Sequence, residues 1–68
     1  MSFADNLKKA REMKDLSQAQ LANAVGVSQP TIAQYEKGLK LPTIITAADI
    51  ARRLGTTCEE LVRNDGMA

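Results

Sequence analysis

The sequence predicts an all-α fold, a compact bundle of five short helices, on three observations. Apolar residues recur at helical spacing along the chain, Ser17, Ser28, Thr43 and Thr57 stand where helices should begin, and Gly26, Gly38 and Gly55 stand where they should end. No run alternates with the two-residue period of a half-buried strand.

The first helix is expected over residues 2–14, where Phe3, Leu7, Ala10 and Lys14 share a face opposite Lys8, Lys9 and Glu12. Asp15 ends it, being a poor interior residue that tolerates turn geometry better than most. The second helix opens on Ser17-Gln18-Ala19-Gln20, a capping box in which Ser17 accepts from the amide three residues on while Gln20 reaches back. Leu21, Ala22 and Val25 form its apolar face, and Gly26 stops it. Ser28 caps the third helix, and Pro30 is tolerated in a first turn whose amides have no internal partner. Ile32 and Tyr35 face inward, and the stretch from Gly38 to Pro42 is a connecting loop. Thr43 caps the fourth helix, with Ile44, Ala47, Ala51 and Leu54 on one face, and Gly55 closes it. Thr57-Cys58-Glu59-Glu60 repeats the capping-box pattern ahead of Leu61 and Val62. One domain over residues 1–63 is expected, with a frayed tail over 64–68.

A chain of 68 residues has room for one small core, built here from aliphatic side chains because Phe3 and Tyr35 are the only aromatics. Such a core rarely supplies more than roughly 3–5 kcal/mol, so dimerisation, a bound ligand or very regular helix packing would help. Nine Lys+Arg against eight Asp+Glu give a net charge of +1, which does not by itself mark a nucleic-acid binder. A single cysteine, Cys58, excludes an intrachain disulfide, and with no histidine no metal site and no cofactor is expected. Without an apolar stretch of ~20 residues or a secretory leader, the expected location is cytoplasmic, with no membrane contact. No nucleophile beside a base and no Gly-rich phosphate loop is present, so the chain is not expected to be an enzyme. No region for a small-molecule effector is evident.

The informative segment is residues 18–37, QAQLANAVGVSQPTIAQYEK, two short helices joined by a turn at Gly26. Ala22 lies where two helices cross closely, while Leu21, Val25, Val27, Ile32 and Tyr35 supply a shared wedge of core. Gln29, Pro30, Thr31 and Gln34 remain outward, a face with amide and hydroxyl groups and no charge. Taken alone, such a face is what any solvated helix presents. It also suits base edges, because Gln pairs bidentately with adenine and Thr offers a hydroxyl or a methyl.

Leu16-Ser17-Gln18, Leu21-Ala22, Gly26-Val27-Ser28, Ile32, Tyr35-Glu36-Lys37-Gly38, Pro42, Ile50-Ala51, Leu54-Gly55 and Glu60-Leu61 occur in that order over nearly the whole chain. In this the sequence resembles the phage repressor and Cro type of helix-turn-helix regulator, also called Xre-like, whose fold is lambda repressor-like. The resemblance implies a sequence-specific double-stranded DNA-binding transcriptional regulator, a repressor that occupies an operator. It implies that the third helix lies in the major groove with Gln29, Pro30, Thr31 and Gln34 towards base edges. It also implies that Gln18 sets its side chain and free amide against a phosphate. Ser17, Asn23, Ser28, Lys37, Lys40 and Arg11 would be further backbone contacts, and Arg11 with Glu36 a partly buried structural ion pair.

Four positions depart from the family pattern. Asp15 stands where Gly or Asn is common, and Pro30 replaces a polar reader, leaving apolar contact with a thymine methyl. Ala47 replaces a Leu, and Ile45 appears where a polar residue is common, which means either repacking or an exposed spot at a dimer interface. One recognition helix contacts too few base pairs to compete with a genome of other sites, so a homodimer across half-sites about 34 Å apart is expected. Ile44, Ile45, Cys58 and Leu61 are the candidate interface residues. A rival reading is an antitoxin-like interaction module that neutralises another protein and binds DNA secondarily.

Overall fold

The computed structural model describes residues 2–63, so the tail expected at 64–68 lies outside the described residues. These form α1 (Phe3–Met13), α2 (Gln18–Val25), α3 (Gln29–Glu36), α4 (Ile44–Arg53) and α5 (Cys58–Val62). Every helix starts on a Ser or Thr, because the first amides of a helix have no internal acceptor and a short hydroxyl side chain supplies one. Ser2 accepts from Asp5 N, Ser17 from Gln20 N, Ser28 from Thr31 N, Thr43 from Thr46 N and Thr57 from Glu60 N, all within 3.0–3.3 Å. At Ser17 the box is reciprocal, the Ser17 amide donating to Gln20 Oε1 at 2.8 Å. At Thr57 the forward bond alone is formed, since the Glu60 carboxylate meets Arg63 at 3.2 Å instead.

Asp15 ends α1 in the left-handed region at φ 57°. In that conformation the amides of Asp15 and Leu16 turn back to the carbonyls of Glu12 and Arg11, at 3.0 and 3.2 Å, and satisfy the open end of the helix. Gly26, at φ 76°, turns the chain between α2 and α3, a conformation that a Cβ would disfavour.

The core consists of Leu7, Leu21, Ala22, Ile32, Tyr35, Ile50, Ala51, Leu54 and Leu61. Through it α3 packs on α1 and α2, α4 on α2, and α5 on both α1 and α4. Ala22 is buried on α2, the helix that meets both α3 and α4. One expectation for α4 needs correcting: Ile44 is 81% exposed, and the inward face runs from the half-buried Ala47 through Ile50, Ala51 and Leu54. As the first helical residue, Ile44 points its side chain back off the end of α4 and away from the bundle. Lys14, expected on the inward face of α1, is likewise exposed, at the C-cap where α1 gives way to the turn. Asn6 closes the far side, its Nδ2 donating to the carbonyls of Leu61 and Arg63 at 2.8 Å each. This staple between α1 and the end of α5 was not singled out from the sequence.

Candidate nucleic-acid interface

The α2–turn–α3 unit presents its face because three kinds of constraint hold α3 still. Ile32 and Tyr35 anchor its inner side in the core, Ser28 caps its start, and Glu36 at its end is tied to α1. With the inner side occupied, Gln29, Pro30 and Gln34 are exposed and Thr31 is half-buried. The Thr31 hydroxyl lies 2.8 Å from that of Ser28, so one donates a hydrogen bond to the other and the first turn stays compact.

Beneath this face runs a continuous chain of hydrogen bonds. Arg11 donates through Nε to Glu36 Oε2 at 2.6 Å, through Nη2 to Glu36 Oε1 at 3.1 Å, and through Nη1 to the Leu16 carbonyl at 2.7 Å. Gln18 Nε2 donates to Glu36 Oε1 at 3.0 Å, and Gln29 Nε2 donates to Gln18 Oε1 at 2.7 Å. The chain therefore links α1, α2 and both ends of α3. The Arg11 and Glu36 side chains are 11% and 3% exposed, so the pair is shielded from solvent. Burial pushes the Glu36 carboxyl up, but hydrogen bonds from Arg11 and Gln18 and the nearby positive charges outweigh it and leave it below its ordinary value. Arg11 is raised, chiefly by its hydrogen bond to Glu36.

The expected backbone contacts fall into two groups. Ser17, Asn23, Ser28, Lys37 and Lys40 are exposed on or beside the α2–α3 unit, with Lys37 at the C-cap of α3. Gln18 has its side chain engaged between Glu36 and Gln29, leaving its unpaired backbone amide in the first turn of α2 as its simplest offer to an anion. Arg11 gives three of its five N–H groups to Glu36 and Leu16 and is largely covered, so it forms the expected ion pair and keeps two N–H groups uncommitted. Leu61 is corrected as an interface candidate, being 2% exposed and part of the core formed by α1, α4 and α5. Cys58 is half-buried against that core. Ile44 and Ile45 stand free at 81% and 80% exposure. Leu39 and Leu41, exposed in the α3–α4 loop, were not singled out from the sequence, although apolar residues in a loop between a Gly and a Pro were a signal.

Among the described residues, no helix is long and apolar enough to cross a membrane. A helix-turn-helix family model matches residues 7–61. The chain is 35% identical over 60 residues to the cryptic phage CTXphi transcriptional repressor RstR of Vibrio cholerae, a match covering 88% of this chain and 54% of that protein. It spans about half the length of RstR and of other curated regulators that it matches. In fold it is similar to the P22 c2 repressor protein in its complex with synthetic operator 9T, with a TM-score of 0.89, 22% identity and coverage of 93% of this chain and 96% of that one. It is also similar to part of the hydroxypropylphosphonic acid epoxidase from S. wedmorenis, at a TM-score of 0.82 and 33% identity, covering 94% of this chain and 37% of the enzyme.

Proposed function

From the membership of this chain in the helix-turn-helix family of phage repressor and Cro-type transcriptional regulators, we propose that it binds double-stranded DNA sequence-specifically and represses by occupying an operator. The observation that carries this reading is the exposed, uncharged face of Gln29, Pro30 and Gln34 on a helix held from both ends. A base-reading surface needs polar groups fixed before contact, because ordering them on binding would cost roughly 0.5–1.5 kcal/mol per side chain. In this reading α3 enters the major groove, Gln29 and Gln34 meet base edges, and Pro30 and Thr31 lie against thymine methyls. The first-turn amides of α2, with Ser17, Asn23, Ser28, Lys37 and Lys40, hold the phosphates on either side and set the register.

Two copies act together, since symmetric half-sites multiply a specificity that one helix cannot supply alone. The pairing surface is the start of α4, where Ile44 and Ile45 are both exposed, and Leu61 has no part in it. The domain works in the cytoplasm, where its target lies, and no catalytic step belongs to this reading.

Selecting bound sites from a random duplex pool tests it. The expected product is an inverted repeat whose half-site centres are one helical turn apart, about 34 Å. Enrichment of no motif would overturn the reading, and enrichment of a single unrepeated half-site would overturn the pairing.

A further inference from the structure

The turn between α1 and α2 explains why position 15 holds a residue at home in the left-handed region, and leaves the charge there unexplained. Asn and Asp enter that region more readily than other side chains, and Gly does so freely. Asp15, at φ 57°, uses this freedom to turn its own amide and that of Leu16 back onto α1. Its carboxylate takes no part in the turn. It belongs to an exposed residue and, among the described residues, has no ion-pair or hydrogen-bond partner. The nearest cations in sequence are engaged elsewhere. Arg11 is balanced by the buried Glu36. The Lys14 ammonium reaches instead to the end of α4, where its Nζ lies 3.3 Å from the point that a Cβ on Gly55 would occupy. The open carbonyls of a helix C-terminus attract a cation, so Lys14 has its own electrostatic partner there.

Asp15 stands two residues before Ser17, the N-cap of α2. The free amides that follow are the positive end of that helix, which favours an anion. Under the reading proposed above, a DNA phosphate takes that place, and this inference rests on it. From Asp15 to Gln18 the chain spans at most ~11 Å. That is about one Debye length in ~0.1 M salt, so the carboxylate and an arriving phosphate still feel each other's charge. The phosphate thus meets an uncompensated anion already resident beside its seat. A phosphate contact carries no sequence information, so the repulsion falls on every duplex alike. We propose that Asp15 is a brake on attachment, a resident anion at the start of α2 that holds down the affinity of this domain for all duplex DNA and leaves base selection unchanged.

Asp15→Asn separates the charge from the turn, because Asn also tolerates the left-handed region. Fluorescence anisotropy over a salt series compares the parent, Asp15→Asn and Glu59→Gln on the duplex selected from a random pool and on an unrelated duplex. Glu59 is an exposed acid on α5, which packs on α1 and α4, so its replacement changes the net charge equally at a distance from the start of α2. Asp15→Asn should bind both duplexes about threefold or more tightly in ~0.1 M salt, with the gain shrinking as added salt shortens the Debye length. The ratio between the two duplexes should stay at the parent's value, and Glu59→Gln should bind as the parent does. Asp15→Gly, which also relieves the backbone, should match Asp15→Asn in affinity. No gain in Asp15→Asn, or a gain in Asp15→Gly alone, would reduce Asp15 to a turn residue and overturn the proposal. An equal gain in Glu59→Gln would trace the effect to net charge, and a gain confined to the selected duplex would place Asp15 among the base readers; each overturns it too. These outcomes leave DNA binding by α2 and α3 standing, whereas a parent that binds neither duplex removes that reading and the brake together.

Discussion

At Glu36, one carboxylate neutralises Arg11 inside the fold and accepts from Gln18, whose carbonyl in turn accepts from Gln29 at the surface. Replacing it by Ala leaves a largely covered guanidinium without its counter-charge, and thermal or urea unfolding should show a loss of about 3 kcal/mol. The same pair sets a pH dependence. Since the folded-state value of Glu36 is lowered, with Arg11, Gln18 and Lys8 all acting on it, the unfolded chain takes up the proton more readily. Its contribution is full above the ordinary carboxylate value near ~4.3 and is lost as pH falls through the folded value, so the parent should lose stability in acid more steeply than Glu36→Ala. Asp15 offers a contrasting case. Its φ of 57° disfavours any residue with a Cβ, and the relief in Asp15→Gly exceeds the added freedom of the unfolded chain. That variant should unfold at higher denaturant, by about 0.5–1 kcal/mol.

The helices themselves were legible because their punctuation is local: a hydroxyl at each start and a left-handed residue at the turns depend only on backbone geometry near them. Ser17 illustrates this, with both halves of its predicted box formed. What the sequence could not show was where a helix ends relative to its neighbours. Ile44 matches the spacing of the inward face of α4 yet points off its end, and Leu61 sits in a short helix whose burial depends on α1 and α4 closing around it. The link from Gln29 to Glu36 was equally invisible, since seven residues apart on α3 they communicate only through Gln18 on α2. The crossing of α2 with its neighbours is tested by Ala22→Leu. With Ala22 already buried in the core, the larger side chain should force α3 or α4 outward, at a cost of about 1–3 kcal/mol in chemical unfolding.

In the proposed function the molecule divides its surface between recognition and attachment. Its net charge of +1 is too small to drive binding to any polyanion, so the account assigns attachment to a few placed cations and to helix-start amides. Lys37 and Lys40, exposed beside the end of α3, are the cations best placed for it. Changing either to Ala should weaken binding to all duplexes alike and reduce the slope of log affinity against log salt by about one, measured by anisotropy over a salt series. On the opposite account, in which the exposed Ile44 and Ile45 dock a foreign protein and DNA is incidental, the salt slope would not respond to these two lysines.

The most direct measurement is a titration of isotope-labelled protein with its selected duplex, followed amide by amide. The account predicts the largest shifts at the start of α2 around Ser17 and Gln18 and along α3 from Ser28 to Lys37, together with the side-chain amides of Gln29 and Gln34. Shifts confined to α1 and α5, or none with any duplex offered, would contradict it.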